Sequence, residues 1–350
     1  MGEFLRNSWY CAGWGADLSD KPIGIKIIGE DLVLFRTSDG SAVALAGRCP
    51  HRFAPLAQGK VIGDVIQCCY HGLQFDRNGA CTLNPHGQGK IPPRAHTRSY
   101  PLVERNGALW VWMGDPAAAR EDQIIDLYFC GGAEGWAGLT GYLKIKADYQ
   151  LVIDNLLDLT HGTYLHPDTV GVDPEHSLGS SLVYDFKTEG TTVHSNYSFF
   201  NSPPTALFKP FFHSERGDIF AFMRWEPAGA LILDISTTEL GMAKGTGVQI
   251  PSAHFIVPET DNSCHYFFAL YRNVELDDEE KTRAMGAIAA KAFVEEDEPV
   301  IHDCYEMMNG EDFFDLEPAI LETDVAGIQA RRILSKLIRA ERRQIADADA

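Results

Sequence analysis

The chain has 350 residues, 45% hydrophobic and 23% charged, which suffices for two packed units and lies inside the ordinary globular range. Its formal net charge of -19 argues against a nucleic-acid partner or an anionic membrane surface, both of which require a basic face, and leaves a small molecule or another protein. No stretch is apolar over the roughly 18 residues a membrane span needs, and the opening MGEFLRNSWYCAGW lacks a signal peptide's apolar core, so a cytoplasmic, soluble chain is expected.

From the start of the chain, IGIKIIG, DLVLFRT, SAVALAG, DVIQCCY and ALWVWMG are short β-rich runs separated by turn signals such as Asp39-Gly40 and Asn78-Gly79. They predict a small antiparallel β domain over residues 1–116. After Gly114-Asp115-Pro116 the texture changes, and residues 117–350 are predicted to form a second domain. There 144–166 begins strand-like and becomes helical, 180–272 returns to β-rich runs, 278–308 is largely helical, and ARRILSKLIRAERRQ reads as a closing helix. The fold class is therefore α+β, the second domain having one antiparallel sheet flanked by helices. Eight cysteines, irregularly spaced, suit metal ligands or small buried hydrophobes better than a disulfide framework.

Charge is unevenly spread. Between Cys49 and Arg105 seven Lys/Arg face three acids, whereas between Glu275 and Asp324 seventeen acids face three basic residues. Such runs are either solvated helix faces or a basic first domain that meets something acidic, such as an electron-donor protein or another copy's C-terminal region.

Cys49-Pro50-His51 is followed, sixteen residues later, by Cys68-Cys69-Tyr70-His71. Each loop offers one thiolate and one imidazole. A Rieske [2Fe-2S] centre needs that division, with Cys49 and Cys68 on one iron and His51 and His71 on the other. A tetrahedral Cys2His2 zinc site accepts the same residue types, although its usual spacing pairs Cys with Cys and His with His. Cys69 is a spare. At these loops the sequence resembles the Rieske family in its oxygenase branch, whose pattern is C-x-H, about sixteen residues, then C-x-x-H. CPHRFAPL lacks the additional Cys of the respiratory-chain branch.

DNLLDLTHGTYLH, residues 154–166, is the second candidate. Read as one helix, it places Asp154, Asp158 and His161 on a stripe, with His166 about 140° round from His161. Both histidines reach one metal only if the helix is distorted or ends near Gly162. Two neutral imidazoles and one carboxylate with open positions form the set expected for oxygen-activating Fe(II). The acidic helix FVEEDEPVIHDCYEMM can supply the carboxylate: the Phe293, Asp297, Ile301, Cys304 stripe turns Asp297 inward, and Glu296 stays open as the alternative.

Together with NSWY, CPHR, CYHGL and AGIQARRILSKLIRAE, this segment resembles the Rieske non-haem iron oxygenases, in the subgroup of vanillate O-demethylase and dicamba monooxygenase. The resemblance implies that His161, His166 and Asp297 ligate iron, that Asn155 lies close to it, and that Asp158 bridges His161 to the His71 of a neighbouring subunit in a homotrimer. It further implies O2-dependent O-demethylation of a methoxylated aromatic acid with release of formaldehyde, methyl or ring hydroxylation being the alternatives. No G-x-G-x-x-G follows a strand, so NAD(P)H electrons must arrive through a separate reductase or ferredoxin. An apolar substrate pocket can draw on Phe199, Phe200, Phe208, Phe211, Phe212, Phe220 and Phe222. His213, Arg224 and His254 are candidates to meet a substrate carboxylate, His254 foremost. The competing classes are a Rieske electron carrier and a zinc-stabilised binding protein; a carrier needs neither D-x2-H-x4-H nor a long second unit.

Overall fold

The structure is a computed structural model describing residues 4–172 and 181–348. It forms two compact units, one running through Asp126 and taking in Pro258–Thr260, the other comprising the remaining residues from Leu127 onward.

The first unit is built from three small antiparallel sheets. Trp9–Trp14, Ala108–Trp112 and Leu102–Arg105 make one, and Ile23–Ile27, Glu30–Arg36, Ala42–Ala46 and Ser99–Tyr100 the second. The third consists of Lys60–Ile62, Val65–Gln67, Gln74–Phe75 and Cys81–Leu83. The turn signals fall between paired strands, where Gly40 and Gly79 take φ of 82° and 79°, the left-handed region that suits glycine. Val33, Phe35, Leu45, Ile66 and Phe75 pack into a core that also encloses Cys49 and Cys68. Each large side chain buried there contributes about 1.5–3 kcal/mol.

The second unit has an eight-stranded antiparallel sheet. Its order is Ala137–Ile145, Ser263–Arg272, Ser252–Thr260, Ala230–Thr238, Gly217–Glu226, Thr192–Ser202, Leu182–Glu189, with Val248–Gln249 pairing beside Ala230–Thr238. Burial alternates along Thr192–Ser202, with Val193, Ser195, Tyr197 and Phe199 inward, as a half-covered strand requires. The helices are α1 (Tyr149–Leu157), α2 (Gly162–Leu165), α3 (Glu279–Ala290), α4 (Glu298–Met307) and α5 (Val325–Ala348). Among the described residues, no helix is long and apolar enough to cross a membrane.

Two local departures from regular helix shape the site. First, the expected helix through 154–166 breaks at Asp158 (φ -112°, ψ 97°), four residues before Gly162. The Asp158 carboxylate accepts from the Thr160 amide at 2.9 Å and the Thr160 hydroxyl at 2.6 Å, which starts a 3-10 turn, Leu159–His161, before α2. Second, α3 and α4 are joined by a π-helical turn, Lys291–Asp297. The stripe read from the sequence holds through Phe293, Asp297 and Ile301, which face inward, and ends before Cys304, which is exposed.

Candidate metal centres

The two loops of the first unit share one backbone pattern. The Cys49 amide donates to the Ala54 carbonyl and the Cys68 amide to Leu73, at 2.9 and 2.8 Å; the two cysteine carbonyls accept from Phe53 and Gly72. The residue four beyond each cysteine has positive φ, 60° at Phe53 and 72° at Gly72. Each loop thereby sets its cysteine in the core and carries its histidine outward, and the His51 and His71 rings lie 4.5 Å apart, centroid to centroid. Burial pushes the Cys49 thiol up to about 11, with the Cys68 sulfur beside it adding to the shift; the amides of His51 and Arg52 donate to the Cys49 sulfur and partly oppose it. Two thiolates this close and this buried call for cationic metal. Among the described residues only His161, His166 and Asp297 gather ligand atoms within 4.8 Å of one another. The Cys49, His51, Cys68, His71 set therefore does not close on a single tetrahedral ion, where ligand atoms would sit about 3.5 Å apart. A two-iron cluster with sulfur and nitrogen ends fits it. Cys69 is exposed and stands outside the core.

In the second unit, His161 Nδ1 donates to the backbone carbonyl of Asp158 at 2.6 Å, and His166 Nδ1 to Glu296 Oε2 at 2.7 Å. Both rings thus present Nε2 as the free lone pair. His161 Nε2 and His166 Nε2 lie 3.4 and 3.1 Å from Asp297 Oδ1. Two ligands about 2.1 Å from one ion at right angles are separated by about 3 Å, so this donor set fits a single metal. Asn155 Nδ2 donates to the same Asp297 oxygen at 3.1 Å and fixes the carboxylate. Burial pushes Asp297 up, but His161 and His166 outweigh it and hold the carboxyl at about 2.

The π turn explains how the alternative between Glu296 and Asp297 resolves. Consecutive residues on an α-helix diverge by about 100°, whereas here both carboxylates reach one histidine, Glu296 at Nδ1 and Asp297 at Nε2. Glu296 also accepts from Thr169 Oγ1 at 2.7 Å. Burial raises Glu296; Thr169 and His166 more than offset that, and it stays below the usual carboxylate range.

The acids of α1 take other partners. Asp154 does not face the metal ligands: Oδ2 accepts from Arg331 of α5 at 2.6 and 2.8 Å, although burial raises its pKa. The Asp158 carboxylate is held within the chain by Thr160, by Tyr197 at 3.3 Å and by Thr323 at 3.0 Å; it is the Asp158 carbonyl that His161 bonds.

A cavity of about 120 Å³ opens onto His161, His166 and Asp297. That is close to the roughly 150 Å³ known to hold benzene. Alternate residues of the sheet wall it, including Ile219, Ala221, Met223, Leu233 and Ile235, and Phe199, Phe268 and Phe293 close it. Phe208, Phe211 and Phe212 belong to the core around this wall, while Phe200 is exposed and pairs with Phe220. Arg224 follows Met223 and so projects from the opposite face, and His213 is exposed; neither lines the cavity.

His254 does line it, but not as a free cation. Burial drives its pKa down to about 3, with only partial opposition from Asp297. Tyr266, whose hydroxyl burial keeps protonated, lies 2.6 Å from Nδ1, and Ser252 Oγ lies 2.8 Å from Nε2. Both ring nitrogens are satisfied within the protein. The period-two placement of Ser252 and His254 on one strand was visible in the sequence; Tyr266 on the adjacent strand was not singled out.

Known families match both units. A model of the Vanillate O-demethylase oxygenase C-terminal domain matches residues 145–340, and one of the Rieske [2Fe-2S] domain matches 8–101. The chain is similar to the chloroacetanilide N-alkylformylase oxygenase component of Rhizorhabdus wittichii, with 38% identity over 97% of each chain. It is also similar to the dicamba O-demethylase oxygenase component of Stenotrophomonas maltophilia, at 34% identity over 97% of this chain and 99% of that one. The crystal structure of dicamba monooxygenase bound to dicamba aligns with a TM-score of 0.91 at 33% identity, covering 97% of this chain and 99% of that chain.

Proposed function

The chain belongs to the Rieske non-haem iron oxygenases of the vanillate O-demethylase type, as a monooxygenase component with a [2Fe-2S] cluster and a mononuclear iron, and on that premise we propose that it removes an alkyl group from the heteroatom of a single-ring aromatic substrate. The observation that carries this reading is the apolar cavity opening directly onto the His161, His166, Asp297 set.

Cys49, His51, Cys68 and His71 hold the cluster; His161, His166 and Asp297 hold the iron. When bound, the iron, fed electrons one at a time from a separate NAD(P)H-dependent reductase through the cluster, activates dioxygen. Asn155 fixes the orientation of Asp297, Glu296 keeps the His166 Nδ1 proton in place, and the Asp158 carbonyl does the same for His161. Phe199, Phe268 and Phe293 exclude water and press the ring so that its alkyl carbon faces the ligand set. For an aryl methyl ether, one oxygen atom enters the methyl C–H bond, the other leaves as water with two electrons and two protons, and the hemiacetal breaks to formaldehyde and a phenol. O-demethylation is the first reading; N-dealkylation is the second, favoured by the 38% identity to the N-alkylformylase component. Asp158, whose carbonyl holds His161, is in this reading the bridge to the His71 of a neighbouring subunit, and the working unit is a homotrimer.

The experiment is turnover with NADH, a surrogate reductase and a panel of methoxy- and N-alkyl-arenes, with aldehyde and oxygen uptake both measured. Aldehyde in proportion to oxygen consumed is expected. Hydroxylated products that retain the alkyl group, with no aldehyde from any substrate, overturn the dealkylation reading.

A further inference from the structure

We infer that His86 is a positioning residue for the [2Fe-2S] cluster: from the segment 84–90 it fixes His71 rather than His51, and so sets one of the two imidazole ligands. The inference is independent of which substrate the enzyme dealkylates and rests on His71 being a cluster ligand.

NPHGQGK, residues 84–90, is turn-forming sequence that follows the second cluster loop. Asn84 organises it. Its Oδ1 accepts from the His86 amide at 3.1 Å and its Nδ2 donates to the Lys90 carbonyl at 2.8 Å, which closes the segment on itself. The Gly89 amide donates to the His86 carbonyl at 3.0 Å, with Gly87 and Gly89 at φ of 58° and 74°. A histidine in such an exposed turn is free to extend into solvent. His86 instead turns back on the cluster loop, where its Nε2 lies 2.8 Å from the His71 carbonyl. A carbonyl only accepts, so Nε2 carries the proton and donates it whether the ring is neutral or charged.

Other contacts converge on the same ligand. The His86 ring meets the His71 ring edge-on at 6.0 Å between centroids, while the Tyr70 and His51 rings lie 4.0 and 4.5 Å from it. Pro85 packs beside Gly72, where an added Cβ would come within 3.2 Å of the proline ring. The Gly72 amide bonds the Cys68 carbonyl at 3.1 Å, so the anchored His71 carbonyl belongs to the same tight turn that sets Cys68 in the core. The orientation of a ligand imidazole governs its hold on the metal, and hydrogen bonds around a cluster are among the levers on its potential. His71 is also the ligand from which the proposed path to a neighbouring subunit departs, so a loosely held ring would weaken both cluster retention and electron delivery.

The test uses the full chain with its cluster loaded, and reads the rate of bleaching by an iron chelator and the pulsed electron-paramagnetic spectrum of the reduced cluster. His86→Ala is expected to speed bleaching roughly 3- to 10-fold, the loss of one hydrogen bond. It is also expected to shift the nitrogen coupling of one histidine ligand and leave the other's unchanged. His86→Gln, whose side-chain amide can donate to the same carbonyl, should restore both readouts. Asn84→Ala, which frees the segment but keeps the imidazole, should move them in the same direction by less. A lower unfolding midpoint with both nitrogen couplings intact would show a merely structural role and overturn the inference, as would equal shifts in both ligands or unchanged bleaching. If His86→Ala sheds its cluster during purification, a loaded His86→Gln supports the inference and an empty one refutes it. A wild-type chain without a Rieske signal would remove the cluster assignment together with this inference, whereas the other negative results remove the inference alone.

Discussion

Glu296 offers the sharpest test of how the iron site is held. Its carboxylate takes the Nδ1 proton of His166 at 2.7 Å while also bonding Thr169, so the ring's orientation and its ligand basicity both depend on it. A hydrogen bond to a charged group contributes about 1.5–3 kcal/mol and a neutral one about 0.5–1.5. Glu296→Ala removes the bond, and with it about 1.4–2.8 kcal/mol of support for the ligand, which converts to a loss of roughly 10- to 100-fold in iron affinity. Glu296→Gln keeps an acceptor but not the charge, so its loss should be near the lower end. The assay is Fe(II) retention against a graded chelator, normalised to the cluster absorbance of the same sample, which lies on a different unit of the chain. Equal iron affinity in wild type and Glu296→Ala, with the fold intact, would refute the reasoning.

Three further outcomes are expected. Arg331→Met leaves the partly buried Asp154 carboxylate without its partner, and should lower stability by about 1–3 kcal/mol in urea unfolding followed by far-ultraviolet dichroism; a loss under about 0.5 kcal/mol would remove the ion pair's structural role. Gly72→Ala forces a side chain into φ of 72° and sets its Cβ 3.2 Å from Pro85, so the first unit should lose about 1–2 kcal/mol and bleach its cluster at lower denaturant. Glu30 is opposed by burial, but Tyr100 (2.5 Å), Arg6 and Arg98 hold its pKa below the usual 4.5. A depressed folded pKa means stability that is present above the unfolded value and is lost as pH falls through the folded one, so Glu30→Gln should flatten the decline in unfolding midpoint below pH 4.5.

What could be read beforehand depended on how locally each feature is encoded. The cluster loops were legible because the chemistry demands one Cys and one His on each hairpin tip, and hairpin spacing lies in the sequence itself. The sheet was legible from period-two alternation, as at Val193, Ser195, Tyr197 and Phe199. That the helix through DNLLDLTHGTYLH must be distorted or end near Gly162 was legible, but its place at Asp158 was not, because it depends on the Asp158 carboxylate competing for the Thr160 amide. Asp154, inside α1 and ahead of the break, instead turns toward α5, where its partner Arg331 lies 177 positions away. The π turn was likewise invisible to an α-helical template, which allowed one inward acid where the wider turn admits Glu296 and Asp297 together. His254 could be singled out as a pocket residue, but the burial that keeps it neutral and the bond of its Nδ1 to Tyr266, twelve residues on across a strand pairing, depend on the tertiary fold.

The division of labour between helices and sheet sets how this protein can change its chemistry. The iron ligands come from helical turns and are cross-braced there by Asn155, Glu296 and the Asp158 carbonyl. Much of the substrate wall comes from strand positions such as Ala221, Met223, Leu233 and Ile235, whose backbone pairing is indifferent to side-chain identity. A library confined to those strand positions can therefore reshape what the enzyme accepts while leaving its reactive centre untouched, and evolution has the same freedom.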